Sequence, residues 1–230
     1  MKITDKLKLK FTDLNEHGPI TIVAFGDSVT QGSMDNKFDY ENVYHNLLKK
    51  KLLEVNSELP INVINAGISG NAASYAFIRT ERDVIKHQPD LCIVDFGLND
   101  VNYDIKHYHS HMRIIFEKLN NAGIETIFMT PNMLPVRIDE NLSKEHLEKA
   151  PNYIKWQTDG TFDKYVYGAV EIAKELGIRV CDCYAEWKKL YENGEDITSY
   201  LTTLVHPTAK LHQLFADKLF DLIMEEYNKD

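Results

Sequence analysis

A serine and a histidine far apart in the chain carry the side chains that nucleophilic catalysis requires. Ser28 follows the apolar run 20–25, and His206 stands before Pro207, ahead of the last helical segment. A serine hydroxyl is a weak nucleophile at neutral pH, so it needs a base to take its proton, and an imidazole has a suitable pKa. The two residues are therefore a candidate nucleophile and base for acyl transfer.

Three further groups can hold the negative charge that attack on an ester carbonyl places on its oxygen. They are the backbone N–H groups of Ser28 and Gly70 and the side-chain amide of Asn99. A preorganised donor of this kind is worth about 3–4 kcal/mol in the transition state. We also expect Gly70 to permit a close approach of the backbone, because glycine has no Cβ.

Four short motifs that contain these residues resemble the sequence blocks of a known family, the GDSL-type, or SGNH, esterases and lipases. The motifs are Gly26-Asp27-Ser28, the turn 65–71 around Gly70, Gly97-Leu98-Asn99-Asp100 and His206-Pro207. Their order and approximate spacing match the family, and the resemblance extends from Ile20 to Tyr227. One block alone would be weak support, whereas four in register are strong.

This resemblance implies a role for each matched position. Ser28 would be the nucleophile and His206 the base, while Ser28, Gly70 and Asn99 would form the oxyanion hole. The implied fold is a flavodoxin-like three-layer α/β/α sandwich with strand order 2-1-3-4-5. No metal and no organic cofactor are expected.

The chain departs from the family at the residue that orients the histidine. The family usually has an aspartate three residues before the histidine, and Thr203 occupies that position here. Either the Thr203 hydroxyl or a backbone carbonyl holds the ring, or a carboxylate from elsewhere replaces the aspartate. The nearest carboxylates in the sequence after the fifth strand are Asp182, Glu195 and Asp196. The sequence leaves these alternatives open.

The elements that must position these residues follow from apolar patterning. Buried strands are predicted at 20–25, 61–64, 91–96, 126–129 and 178–181, and they alternate with amphipathic helices at 40–55, 72–87, 108–119, 162–176 and 185–191 and a last helix after Pro207. This alternation predicts a parallel sheet with helices on both faces. In such a sheet the ligand crevice lies outside the carboxyl ends of the strands, where Ser28, Gly70 and Asn99 fall.

Two segments lack clear periodicity. Residues 1–19 are expected to be irregular, and residues 130–160 contain Pro131, Pro135 and Pro151 within a charged, aromatic stretch. We interpret residues 130–160 as an insertion or lid over the crevice of a single domain that comprises residues 1–230. The three cysteines, Cys92, Cys181 and Cys183, are interpreted as structural buried thiols.

Composition limits the partners. A net charge of −9 and a pI near 5.5 argue against nucleic acid, which offers no cationic partner. No apolar run is long enough for a membrane span or a signal peptide, so we expect no stable membrane insertion and a cytoplasmic setting. A small-molecule ester is the expected partner, and the oligomeric state stays open.

The leading hypothesis is a serine esterase that forms an acyl-enzyme, acting on a small acyl group such as acetyl carried by a carbohydrate or another small polar alcohol. Two alternatives remain open. A lysophospholipase or acyl-thioesterase would use the same residues, and a binding protein would keep the fold without hydrolysis, given Thr203 in place of the aspartate. A nucleotide-binding protein of the same fold is disfavoured, because no strand end carries a Gly-x-Gly-x-x-Gly pattern.

Overall fold

Five parallel strands form one sheet, in which β1 (Ile20–Gly26) lies between two neighbours. The computed structural model describes residues 1–34 and 37–229. The other strands are β2 (Ile61–Gly67), β3 (Leu91–Asp95), β4 (Thr126–Met129) and β5 (Arg179–Cys181). The spatial order is β2-β1-β3-β4-β5, and every neighbouring pair is parallel. The strand order expected from the sequence is therefore confirmed.

Two layers of helices cover the sheet. The described α-helices are α1 (Ile3–Leu7), α2 (Leu14–His17), α3 (Ser28–Gln31), α4 (Tyr44–Val55), α5 (Ala73–Asp83), α6 (Ile105–Asn121), α7 (Lys144–Thr158), α8 (Thr161–Glu175), α9 (Cys183–Glu192) and α10 (Ala209–Tyr227). Helix α10 packs against α4, α1 and α9, whereas α6 packs between α5 and α8. The result is the three-layer α/β/α sandwich that the sequence predicts.

The central strands are buried because helices cover both of their faces. Residues 22–25 of β1 have no exposed surface, and β3 is buried along its whole length. Such strands appear in a sequence as continuous apolar runs rather than as alternating patterns. In the register of the sheet, Gly26 lies opposite both Gly67 and Asp95, so the turns after β1, β2 and β3 all leave from the same edge.

Two glycines let α3 lie directly against the strand ends. A Cβ on Gly67 would stand 2.2 Å from the backbone nitrogen of Gln31, and one on Gly26 would stand 2.0 Å from Oγ1 of Thr30. Neither distance is compatible with a side chain. The close backbone approach expected of Gly70, in its role as an oxyanion donor, stays a prediction.

The first 19 residues are more regular than expected. They form α1, a 3-10 turn at Phe11–Asp13 and α2. Ile3 and Leu7 are spaced by four residues on α1, and both are almost completely buried. The expectation of an irregular segment was wrong because the many lysines of this region obscure a short apolar face.

Residues 130–160 also contain an element that the sequence analysis missed. Helix α7 includes Pro151 in its interior and buries Ala150 and Gln157. Proline removes one helical hydrogen bond but does not always end a helix that tertiary packing supports. The helix packs against α8. Its interpretation as an insertion or lid stays a prediction.

The three cysteines are buried and form no disulfide. Cys92 lies in β3, while Cys181 ends β5 and Cys183 begins α9, with their sulfur atoms 3.7 Å apart. Among residues 1–34 and 37–229, no helix combines the length and apolar character needed to cross a membrane.

Candidate active site

Ser28 and His206 meet at the carboxyl edge of the sheet, although 178 residues separate them in the chain. Oγ of Ser28 lies 2.8 Å from Nε2 of His206, a normal hydrogen-bond distance. Ser28 is the first residue of α3 and is only 6% exposed. His206 comes from the loop between the 3-10 turn Ile197–Tyr200 and α10.

The turn from β1 into α3 is fixed by Asp27. Its Oδ1 accepts a hydrogen bond from the backbone N–H of Val29 at 2.9 Å, so Asp27 caps the helix that begins at Ser28. Its Oδ2 accepts a hydrogen bond from Nδ2 of Asn99 at 3.1 Å. The same carboxylate thus positions the nucleophile and the Asn99 side chain.

Thr203 holds the far side of the imidazole. Its Oγ1 lies 2.7 Å from Nδ1 of His206, and Oγ of Ser33 lies 3.5 Å from the same nitrogen. When Nδ1 carries the ring proton, it donates to Thr203, and Nε2 is left to accept the proton of Ser28. The Thr203 hydroxyl is therefore the partner found among the alternatives that the sequence left open.

The three carboxylates considered as replacements for the missing aspartate have other partners. Asp182 caps α9 through the N–H of Ala185 and accepts a hydrogen bond from Thr130. Asp196 pairs with Arg137, and Glu195 accepts a hydrogen bond from the Tyr200 hydroxyl. Within the described residues, none of these three carboxylates has a hydrogen bond to His206.

The loop that carries His206 is itself anchored. The N–H of Thr202 donates to the carbonyl of His206 at 2.8 Å, and Leu201 forms a bridge with Pro207. Asn132, which is fully buried, donates through Nδ2 to the carbonyl of Val205 at 3.0 Å. These contacts fix the histidine backbone relative to the turn after β4.

Asn99 connects the turns that carry the other two expected oxyanion donors. Its Nδ2 donates to the carbonyl of Asn71 at 3.0 Å and to Oδ2 of Asp27. It therefore links Asn71, which follows Gly70, to Asp27, which precedes Ser28. In the part of the chain that the structure describes, the backbone N–H groups of Ser28 and Gly70 donate to no other protein group. Both amides are therefore available to an external acceptor.

Gly70 is required for its backbone conformation. Its φ is +75°, a region that residues with a side chain rarely adopt, and a Cβ there would meet no atom within 4 Å. The turn that it makes is tied to α3, because the backbone N–H and hydroxyl of Ser69 both donate to Oε1 of Gln31, at 2.8 and 2.7 Å.

Arg79 is a site residue that the sequence analysis missed. Its Nη2 donates to the carbonyl of Gly26 at 2.9 Å, its Nη1 to the carbonyl of Ala66 at 2.8 Å, and its Nε to Oδ1 of Asn71 at 2.8 Å. The guanidinium lies over the ring of Phe25. It therefore joins the ends of β1 and β2 to the residue that holds Asn99.

A signal for Arg79 was present in the sequence. The residue lies on the buried face of α5 with Ala73, Ala76 and Thr80, and it is only 7% exposed. A cation on an otherwise small and apolar helix face indicates a buried partner. Two of the partners are main-chain oxygens, which no sequence pattern identifies, and the other two are the side chains of Asn71 and Asp83.

Burial lowers the pKa of the candidate base. Desolvation lowers the pKa of His206 to about 4, and repulsion from His146 of α7 acts in the same direction. The imidazole is thus neutral at physiological pH, which is the form that accepts a proton from serine.

Three buried carboxyl groups, Asp27, Asp95 and Asp100, belong to the strand ends and turns that carry the candidate site. Desolvation raises the pKa of Asp27 to about 7, although hydrogen bonds from Val29 and Asn99 and the charge of Arg79 oppose the shift. Desolvation likewise raises the pKa of Asp100 to about 7 and that of Asp95 well above its usual range. Asp100 accepts a hydrogen bond from the N–H of Ala73 at 2.8 Å and so supports the start of α5.

The chain combines a parallel sheet enclosed by helices with a serine hydroxyl and an imidazole in contact at the carboxyl edge of the sheet. This combination is typical of ester-hydrolysing enzymes with an α/β sandwich. The family model for GDSL-like lipases and acylhydrolases matches residues 24–214. The chain belongs to this family.

Two sequence relatives are moderately similar. An acetylxylan esterase of Geobacillus stearothermophilus is 29% identical over 178 residues, which cover 72% of this chain and 73% of the esterase. An uncharacterized lipoprotein of Bacillus subtilis, YqeF, is 28% identical over 134 residues, or 55% of this chain. That match spans about half of the lipoprotein, 52% of its length.

Solved structures share the fold. The acetylxylan esterase of Geobacillus stearothermophilus superimposes with a TM-score of 0.70 at 22% identity, covering 89% of this chain and 94% of the esterase. An α/β hydrolase from the metagenome of Lake Arreo has a TM-score of 0.71 at 18% identity, with coverage of 89% and 95%.

Proposed function

We propose that this chain hydrolyses a carboxylic ester through an acyl-enzyme formed on Ser28, with His206 as the general base. The observation that carries the proposal is the 2.8 Å contact between the Ser28 hydroxyl oxygen and Nε2 of a histidine that burial keeps neutral. Among solved structures of the Geobacillus acetylxylan esterase are catalytic mutants in which a serine or a histidine is replaced by alanine.

The reaction proceeds in two halves. Oγ of Ser28 attacks the ester carbonyl carbon while its proton passes to Nε2 of His206. The tetrahedral intermediate then expels the alcohol oxygen, which takes that proton, and an acyl-serine remains. Water attacks the acyl-serine with His206 again as base, and collapse of the second intermediate releases the carboxylic acid and restores the Ser28 hydroxyl.

The oxyanion of each intermediate is held by the N–H groups of Ser28 and Gly70 and by Asn99. The two backbone amides have no protein acceptor among the described residues. The Asn99 amide nitrogen already donates to Asp27 and Asn71. Asn99 would share one N–H between the Asn71 carbonyl and the substrate oxygen in a three-centre bond.

Thr203 keeps the imidazole in the productive tautomer. A hydroxyl oxygen that accepts from Nδ1 leaves Nε2 unprotonated and aimed at Ser28. A neutral hydroxyl stabilises the imidazolium of the transition state less than a carboxylate does. The chain should therefore be an esterase whose turnover is limited by a weak third member of its catalytic group.

The substrate that we propose is a small acyl group, in particular acetyl, carried by a carbohydrate. The support is the similarity to acetylxylan esterase at 29% identity over 178 residues. Activity that climbs with acyl chain length would instead favour the alternatives, a lysophospholipase or acyl-thioesterase with the same site. We propose no nucleic-acid partner.

The segment 130–160 is proposed to form one wall of the crevice. The Asn102 side chain, three residues after Asn99, donates to the Tyr153 hydroxyl of α7 at 3.0 Å. His146, near the start of α7, is close enough to His206 to lower its pKa. The hydrogen bond and the electrostatic influence of His146 both support a position of α7 beside Ser28 and His206.

The test combines turnover with covalent labelling. The wild type, Ser28→Ala and the control Ser110→Ala, which changes an exposed serine of α6, are assayed on p-nitrophenyl esters from acetate to dodecanoate. We expect Ser28→Ala to lose at least about 10³-fold in kcat while the control is unchanged. A fluorophosphonate should label the wild type and not Ser28→Ala. A well-folded wild type that resists labelling would support the binding-protein alternative.

A further inference from the structure

A short hairpin stands beside the imidazole on the side away from Ser28. Residues Ser33–Met34 and Lys37–Phe38 pair in antiparallel fashion, with Ser33 directly opposite Phe38. Oγ of Ser33 is 3.5 Å from Nδ1 of His206. Residues directly opposite each other in such a pair project their side chains from the same face. Phe38 therefore lies on the hairpin face that fronts His206.

Phe38 and Tyr40 form an exposed aromatic strip. Residues two apart in extended chain point to the same side, and the two rings are parallel within 10° with their centroids 6.3 Å apart. The residues are 47% and 57% exposed. Two large rings held parallel, each with about half of its surface exposed, form a flat apolar surface that a ligand can cover.

The strip is held in place by the residue between the two rings. The N–H of Asp39 donates to the carbonyl of Gly32 at 2.8 Å, and Oδ1 of Asp39 accepts from the N–H groups of Glu41 and Asn42, both at 3.0 Å. Gly32 has φ +100°, and a Cβ on it would lie 2.8 Å from the Asp39 carbonyl oxygen. This preorganisation means that binding a ligand would require little ordering of the loop.

The chemistry of the reaction decides which part of the ester reaches this strip. His206 must give its proton to the leaving alcohol oxygen, so the alcohol portion lies against the imidazole, whereas the acyl oxygen points to the amides of Ser28 and Gly70. Because the hairpin lies on the Nδ1 side of the ring, an alcohol portion long enough to extend past the imidazole reaches the strip, whereas the acyl group points away from it.

We infer that Phe38 and Tyr40 form a binding subsite for a pyranose ring of the alcohol portion, an inference that rests on the proposed function. A sugar ring offers a flat C–H face to an aromatic ring and keeps its hydroxyls in water or on polar neighbours. The neighbours of the strip are Lys37, Asp39, Glu41 and Asn42, all of them polar. They suit a polyhydroxylated ring better than an alkyl chain.

The experiment compares two acetate esters. Phe38→Ala, Tyr40→Ala and the double variant are assayed on acetylated xylooligosaccharide and on ethyl acetate, whose alcohol has no ring. The control is Phe11→Ala, which removes an exposed phenylalanine in the amino-terminal segment. We expect the double variant to raise KM for the oligosaccharide about tenfold with kcat retained, and to leave ethyl acetate turnover unchanged.

A binding measurement separates this inference from the proposed function. Acetylated xylooligosaccharide is titrated by calorimetry into Ser28→Ala with and without the double aromatic change, and the double change should weaken the affinity about tenfold. An unchanged KM and affinity would overturn the subsite. So would an equal loss on both esters, or a change of oligomeric state without a change of KM. Failure of the wild type to hydrolyse either ester would overturn the proposed function instead, while the titration would still report on the subsite.

Discussion

Oγ1 of Thr203 lies 2.7 Å from Nδ1 of His206, in the place where the family usually has a carboxylate. The imidazole is thus oriented by a neutral hydroxyl rather than by a charge. Orientation and tautomer are preserved, but the electrostatic stabilisation of the protonated ring is reduced.

Replacing Thr203 separates these two contributions. We expect Thr203→Val to lower kcat by roughly 10- to 100-fold, because Nδ1 then keeps only the long 3.5 Å contact with Ser33. Thr203→Asp should raise kcat above the wild type and raise the pKa of His206, because a carboxylate favours the imidazolium. Steady-state kinetics of both variants check this, and a more active Thr203→Val would contradict the assigned role.

The pH dependence of turnover should reflect the buried histidine. His206 must be neutral to act as base, and burial lowers its pKa to about 4. We therefore expect kcat/KM to stay level from pH 7 to about 5 and to be half-maximal near pH 4. A midpoint above pH 6 in the wild type would show that the imidazole is more solvated than the structure indicates.

Circular dichroism at each pH must separate acid unfolding from the fall of kcat/KM that follows protonation of His206. The pKa values of His45 and His212 are also lowered by burial, to about 4 and about 3. Below pH 6.5 these two histidines bind protons in the unfolded chain but stay neutral in the folded chain. They therefore lower the free energy of unfolding as the pH falls from 6.5 toward 4. In Thr203→Asp the kinetic midpoint should move upward while the unfolding limb stays in place.

Arg79 is expected to act as a positioning residue for the oxyanion hole. In Arg79→Met the carbonyls of Gly26 and Ala66 and the side chain of Asn71 lose their donors, which should cost about 2–4 kcal/mol of unfolding free energy. We expect kcat to fall at least tenfold at unchanged KM, because the Asn71–Asn99 contact loosens.

Arg82→Met is the matched control for this change. It alters an arginine of the same helix whose side chain is 70% exposed and whose partner is Asp83. Stability and kcat should both be nearly unchanged. If Arg79→Met and Arg82→Met lowered stability and kcat equally, Arg79 would contribute only a positive charge on the helix and would not position the oxyanion hole.

Asp100 should make stability depend on pH in the opposite sense from the histidines. Its pKa is raised by burial from 3.8 to about 7, so the folded chain holds a proton that the unfolded chain releases. The contribution is full below pH 3.8 and is lost as the pH rises through 7. Asp100→Asn mimics the protonated form and should gain stability relative to the wild type as the pH rises from 3.8 to about 7, by at most about 1.4 kcal/mol per pH unit, with a constant difference above that range.

Urea unfolding at several pH values checks this prediction. The exposed Asp221 of α10 offers a control, since Asp221→Asn should shift stability by the same small amount at each pH. A constant difference between Asp100→Asn and the wild type from pH 3.8 to about 7 would contradict a proton held at Asp100.

The layered fold was predictable because buried parallel strands leave continuous apolar runs, and the site was predictable because reactive side chains follow three of those runs. A loop before a helix carries no periodic signal, so His206 was a candidate only for its imidazole and its place ahead of the last helix, and the family resemblance strengthened that choice. Helix α7 was missed because Pro151 suggests a break, although packing against α8 supports the helix around it. Arg79 was missed because two of its partners are main-chain carbonyl oxygens, which every residue has, and because its ion pair with Asp83 four residues later is typical of an ordinary helix surface.

The contact between Ser28 and His206 also sets when the enzyme can become active during synthesis. Ser28 begins the helix that directly follows the first strand of the sheet, whereas His206 lies shortly before α10, which docks on α1 and α4. A ribosome-bound chain that has not yet released α10 cannot hold the imidazole against the serine. We therefore expect nascent molecules to have no esterase activity until the last helix docks. The appearance of activity would then mark the completion of the α/β/α sandwich.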